Sequence, residues 1–97
     1  MKAWELLNSE EKWCQHAYAR DRDGKWVCAT SARAVQWCAR GAIEKCYDNP
    51  ITESSRVMLL SGELEPGNQG PLRITIIDWN DSSDYQEVYN KLKELDI

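Results

Sequence analysis

The sequence has no phenylalanine, a single histidine, three prolines and no long apolar run. Each shortage removes something. Without phenylalanine, every aromatic ring belongs to one of five tryptophans or four tyrosines. Both residues carry a polar handle and favour half-wet positions at core rims and interfaces. The amino-terminal stretch MKAWELLNSEEKW is interrupted by Glu5 and does not read as a signal peptide. No segment nears the roughly 20 apolar residues of a membrane span. The expectation is a cytoplasmic protein with reduced cysteines and no membrane partner. The basic excess of a phosphate-backbone binder is also missing. The net charge is −4, and residues 51–97 hold four Lys or Arg against nine Asp or Glu, while residues 1–50 hold eight against seven. No nucleic-acid partner is expected from that balance. There is no P-loop, G-x-G-x-x-G, H-E-x-x-H or G-x-S-x-G, so no enzyme and no cofactor are expected.

What remains is 97 residues, 42% hydrophobic and 29% charged. That length suits one domain, residues 1–97, with one modest core. Residues 2–11 read as a short helix with Ala3, Trp4 and Leu7 on one side. Asp21-Arg22-Asp23-Gly24 is a strong turn signal. It joins a strand within Lys12–Arg20 to a return strand over Lys25–Ala29. Thr30 or Ser31 can cap a helix from about Ala32 to Tyr47. Its apolar stripe is Val35, Cys38, Ala39, Ala42, Ile43, Cys46 and Tyr47, on a 3.6-residue period. A second helix is expected over 52–62, then a loop over Glu65–Pro71. Arg73–Trp79 is β-branched and reads as a strand. Ser83-Asp84-Tyr85-Gln86 matches a capping box that opens a last helix with Tyr85, Val88, Leu92 and Leu95 inward. The expected class is α+β: a β-hairpin plus one further strand, packed with three to four helices.

The four cysteines invite a metal or redox reading, and their spacing argues against it. Intervals of 14, 10 and 8 residues contain no C-x₂-C pair. Cys38 and Cys46 on one helix would lie about 12 Å apart along its axis. A two- or four-residue loop at Asp21–Gly24 places Cys28 on the strand face opposite Cys14 and His16. A three-residue loop reverses that. The expectation is four small buried hydrophobes and no metal. The DRDG stretch also fails the EF-hand pattern, because the alignment puts Ala19 first and Thr30 last.

Trp13-Cys14-Gln15, Ala19, Asp21-Arg22-Asp23-Gly24, Trp37-Cys38 with Gly41-Ala42-Ile43, and Trp79-Asn80-Asp81 together resemble a family of small bacterial and phage proteins. That family is catalogued only as a domain of unknown function. The resemblance covers roughly residues 3–95 and implies no activity. In its pattern a small residue is expected where His16 stands, and Cys28 and Cys46 are peculiar to this chain. The motif positions suggest that Trp13, Trp37 and Trp79 meet in space, with Gly41 permitting a close approach and with Asn80 and Asp81 capping or cross-linking the last helix.

The leading expectation is a non-enzymatic module that binds a protein partner or itself, with Trp4, Trp26 and Tyr89 as exposed anchors. One alternative is a phage or mobile-element accessory protein that inhibits a host complex through an acidic face of Asp78, Asp81, Asp84 and Glu87. Another is a small-ligand or metal site at Trp13, Cys14, Trp37, Cys38, Trp79, Asn80 and Asp81.

Overall fold

The computed structural model describes residues 1–47 and 72–97. The expected helix over 52–62 and the Glu65–Pro71 loop lie outside them. In chain order the elements are α1 (Ala3–Leu6), a 3-10 turn (Glu10–Lys12), β1 (Ala19–Arg20), β2 (Trp26–Val27), β3 (Gln36–Trp37), α2 (Ala39–Cys46), α3 (Leu72–Asp81) and α4 (Tyr85–Leu95). The strands form one antiparallel sheet in the order β2-β1-β3. The fold class is α+β.

The hairpin forms where the DRDG signal puts it, with a loop of odd length. The Asp21 carboxylate accepts from the N–H groups of Asp23 and Lys25 at 2.9 and 3.0 Å. Gly24 takes φ +80°, where a Cβ is penalised. The Asp21 N–H donates to the Lys25 carbonyl at 2.9 Å, so the loop proper is Arg22–Gly24. A type I turn followed by a left-handed glycine adds the third residue. The two- or four-residue loop is thereby corrected. The pairing sets Ala19 opposite Val27 and Trp37, and Arg20 opposite Trp26 and Gln36. Ala19 and Trp37 face the core, and Arg20, Trp26 and Gln36 face outward.

Two segments fold into an element of another kind than the sequence leads one to expect. The helix expected from Ala32 begins only at Ala39. Before it, Ser31 caps a tight turn, its Oγ accepting from Arg33 N–H at 3.1 Å. The Val35 N–H then bonds to the Arg20 carbonyl, and Gln36-Trp37 joins β1 as its second neighbour. Val35, placed on the buried stripe by periodicity, is exposed. The third strand therefore comes from this segment. The strand expected over Arg73–Trp79 is instead part of α3. Ile76 and Asn80 are fully buried while Asp78 is exposed. A strand would put all three on one face, whereas a helix groups 76 with 80 and turns 78 away. Burial outweighed the small helical disadvantage of isoleucine and threonine.

The last helix starts one residue later than expected. Asp84, not Ser83, is the N-cap, its Oδ1 accepting from Glu87 N–H at 2.8 Å. Ser83 donates instead to the Trp79 carbonyl. Val88 and Leu92 are fully buried, with Tyr85 and Leu95 half-buried beside them. Residues 2–11 make only one short turn of helix, with Ala3 and Leu7 buried.

The core joins Ala3 and Leu7, Ala19, Trp37, Ala42 and Ile43, Ile76, and Val88 and Leu92. Small side chains let the layers approach closely. One close approach is at Gly41 on α2, where a Cβ would overlap the Tyr18 backbone carbonyl. That carbonyl also accepts from Cys38 N–H at 3.1 Å, so it cannot retreat without losing the bond. Gly41→Ala is therefore expected to lower unfolding free energy by about 2 kcal/mol or more. Gly24→Ala meets no neighbouring atom and should lose only about 1 kcal/mol through its positive φ. Urea denaturation of the two variants should rank them in that order.

Candidate functional site

Trp13 and Trp37 form a parallel bridge, and Cys14 N–H donates to the Trp37 carbonyl at 3.1 Å. If that ladder continued, the Ala39 N–H would reach the Cys14 carbonyl. The Asn80 side chain stands between them. Its Oδ1 accepts from Ala39 N–H at 2.9 Å and from the Trp13 indole N–H at 2.7 Å. Its Nδ2 donates to the Cys14 carbonyl at 3.2 Å and to Asp81 Oδ1 at 3.0 Å. Both lone pairs and both protons of one fully buried amide are thus used. The amide acts as an inserted peptide group, tying α3 to both strands.

Neighbouring residues extend the knot. The Gln15 amide donates to the carbonyls of Asn80, Asp81 and Ser83 at 3.2, 3.1 and 2.9 Å, covering carbonyls that the end of α3 leaves open. Asp81 Oδ1 also accepts from His16 N–H at 3.0 Å. Trp13 packs on Tyr85 at a ring separation of 6.2 Å. Trp79 is half-buried against the core. Trp13, Cys14, Trp37 and Asn80 are thus brought together as hydrogen-bonded structure, and the cross-links made by Asn80 and Asp81 run to the Trp13–His16 ribbon.

Burial governs the thiols. It pushes Cys14 up to about 11, with the Arg20 guanidinium partly offsetting it. It pushes Cys38 up to about 12, although Gly41 N–H donates to its sulfur at 3.3 Å as the helix cap. Burial thus holds both in the thiol form at neutral pH, which is unsuited to nucleophilic attack. Cys28 is exposed and Cys46 half-buried, so the expectation of four buried cysteines is corrected to two. All four are free. Among the described residues no three of His, Cys, Asp or Glu gather in a way that could hold a metal ion.

His16 has φ +65°, the left-handed region. Glycine adopts that conformation without penalty, and histidine is among the residues enriched there. Its ring is exposed, with Nδ1 3.5 Å from Asp81 Oδ2. The break also ends strand geometry before Cys14, so hairpin parity is not transmitted to that residue.

Beside the knot lies a cleft of about 400 Å³. Tyr18 and Trp26 line it from the outer face of the sheet, and Ile77 and Asp81 from α3. His16, Ala17 and Cys38 complete the described lining. Of the residues singled out from sequence as a pocket, Cys38 and Asp81 line this cleft; Trp13, Cys14, Trp37, Trp79 and Asn80 do not. Tyr18 and Ile77 were missed. The signal for Tyr18 was hairpin register, since residues 18, 20 and 26 share a face once the loop has three residues. Ile77 follows from i, i+4 spacing to Asp81, which is visible only when this segment is read as a helix.

Of the expected surface anchors, Trp26 is 63% exposed. Trp4 is half-buried, its indole donating to Asp96 Oδ1 at 3.1 Å with the Lys93 ammonium 5.7 Å from its ring centroid. Tyr89 is half-buried and stacks on Tyr85.

These features define a small α+β domain whose short sheet is pinned to a helix by one buried amide. A family model described as a family of unknown function (DUF6197) matches residues 1–94. The chain belongs to that family, as its tryptophan motifs suggest. Neither the curated proteins nor the solved structures provide a match.

Asn80→Ala strands the Trp13 indole, the Ala39 N–H and the Cys14 carbonyl, and should lower stability by about 3 kcal/mol or more; thermal unfolding checks this. Replacing His16 by glycine removes a left-handed penalty of about 1 kcal/mol against a similar entropic loss, so the melting temperature should hold or rise. His16→Val should instead be destabilised by about 2 kcal/mol. In thiol titration with a bulky aromatic disulfide, Cys28 should react in the folded chain, while Cys14 and Cys38 wait for denaturant. Peptide mapping of the labelled sites distinguishes them.

Proposed function

We propose that this chain is a non-enzymatic module that binds a protein partner through the outer face of its sheet, centred on Trp26. The observation that carries this is the contrast among the tryptophans. Trp4, Trp13 and Trp37 each spend the indole N–H on an internal acceptor. Among the described residues neither Trp79 nor Trp26 makes such a bond, but Trp79 is half-buried whereas Trp26 is exposed beside an open cleft. A large exposed tryptophan at a concavity is the residue type and setting of an interface hot spot.

The acidic-face alternative is less well supported. Asp81 Oδ1 is turned inward onto His16 N–H and Asn80 Nδ2, and Asp84 Oδ1 is engaged as a helix cap. One oxygen of each of these two carboxylates is therefore committed to an internal bond.

The test is site-specific photocrosslinking in cells that express the chain natively. With benzoylphenylalanine at position 26, irradiation should yield one discrete covalent adduct. The same probe at exposed Glu94 should yield none. An adduct of twice the chain mass identifies the partner as a second copy. No adduct from position 26, or equal adducts from both positions, overturns the reading.

A further inference from the structure

The cleft beside Trp26 has a definite chemistry. Two aromatic side chains, Tyr18 and Trp26, line it from the sheet, and opposite them Asp81 comes from α3. The Asp81 side chain keeps 19% of its surface open. Its Oδ1 is consumed by His16 N–H and Asn80 Nδ2, while among the described residues Oδ2 meets only the His16 ring, at 3.5 Å. Two positive groups lie nearby but off the lining, and Arg40 keeps Nε and Nη1 without a hydrogen-bond partner among the described residues. Arg20 donates to the carbonyls of Gly24 and Gln15. Arg40, nearly buried, stacks on Tyr18 at 5.6 Å with Glu44 beside it. The amino end of α2 could attract an anion, but Ala39 N–H is taken by Asn80 and Gly41 N–H by Cys38. Neither Arg20 nor Arg40 lines the cleft, so among the described lining residues Asp81 is the one permanent charge. Exposed Asp78, three residues earlier on α3, adds to the negative field, and the chain as a whole is at −4.

We infer that this cleft receives the cationic side chain of an arginine or lysine from a basic segment of the protein partner. The inference rests on the protein-binding reading and deepens it. Aromatic faces attract a cation through the ring quadrupole, and tryptophan does so best. A carboxylate supplies a charge-assisted hydrogen bond to the same group. A cleft of about 400 Å³ accommodates one long side chain, with the partner backbone left outside across the edge of β2. An acidic or purely apolar segment would leave Oδ2 desolvated and unpaired, which disfavours those occupants.

The experiment is amide-shift mapping on the ¹⁵N-labelled full chain, with two capped nonamers, one alternating Gly and Arg and one alternating Gly and Glu. The Gly-Arg peptide should shift the amides of His16, Tyr18 and Ile77 and the Trp26 indole N–H, more weakly as salt rises. Trp26→Ala and Asp81→Asn should each weaken binding about tenfold or more. Asp81→Asn keeps the Oδ1 acceptor for His16 and Asn80. Should its spectrum lose dispersion, Ile77→Lys carries the charge test, because it places a cation in the cleft. Equal response to the Gly-Glu peptide, undiminished binding by the charge variant, or shifts mapping away from the cleft would overturn the inference. A position-26 photoadduct without any response to Gly-Arg removes the basic-peptide inference and leaves the protein-binding reading standing. Loss of both removes the two together.

Discussion

The amide of Asn80 is the constraint on which the rest depends. It replaces one rung of a parallel ladder between the Trp13–Cys14 segment and the start of α2, and it belongs to a helix more than 40 residues away on either count. One side chain thereby fixes the distance between two ribbons and the end of a helix at once. The group is fully buried, and its bonds to Ala39 N–H and the Cys14 carbonyl are made away from water, where an unpaired partner would cost about 1–3 kcal/mol. The surrounding polar groups follow from this: Gln15 closes the end of the helix, Asp81 steadies the amide, and the Trp13 ring is held edge-on to it.

The same knot determines where chemistry is available. Cys14 and Cys38 sit beside the inserted amide, and its packing shuts them away from solvent. Asp81 is oriented by the amide, so one of its oxygens is structural while the residue also lines the cleft. The open face of the sheet inherits its shape from the three-residue loop, which puts Tyr18, Arg20 and Trp26 on one side. The division is simple: the inner surface is apolar and rich in alanine, and the outer surface carries the long amphipathic side chains.

Much of this was legible in the sequence, and the failures have physical causes. Asp21–Gly24 was readable as a turn because glycine and aspartate have local reasons to be there. Its loop length was not, since it depends on whether Gly24 takes a left-handed conformation. The apolar period over Ala39–Tyr47 was sound, but extending it back to Ala32 absorbed Gln36 and Trp37, which pair with β1. Short strands of two residues leave almost no periodic trace. Reading Arg73–Trp79 as a strand followed β-branched composition, while burial of Ile76 and Asn80 with Asp78 outside favoured a helix. Of the seven residues grouped as a pocket, two line the cleft, Cys38 and Asp81, and the reason is related. A motif such as Trp-Asn-Asp marks residues that matter without saying whether they matter as structure or as surface.

The two ends of the described chain are clasped. The Ala3 N–H and the Tyr47 hydroxyl both donate to the Ile97 carbonyl, at 2.6 and 2.7 Å, and Ile97 is fully buried. Asp96 holds Lys2 and the Trp4 indole alongside. Terminal segments are ordinarily where fraying and proteolytic nicking begin. Here neither extremity can peel away alone, since each is the other's hydrogen-bonding partner. The latch turns two independent weak points into a single cooperative opening event.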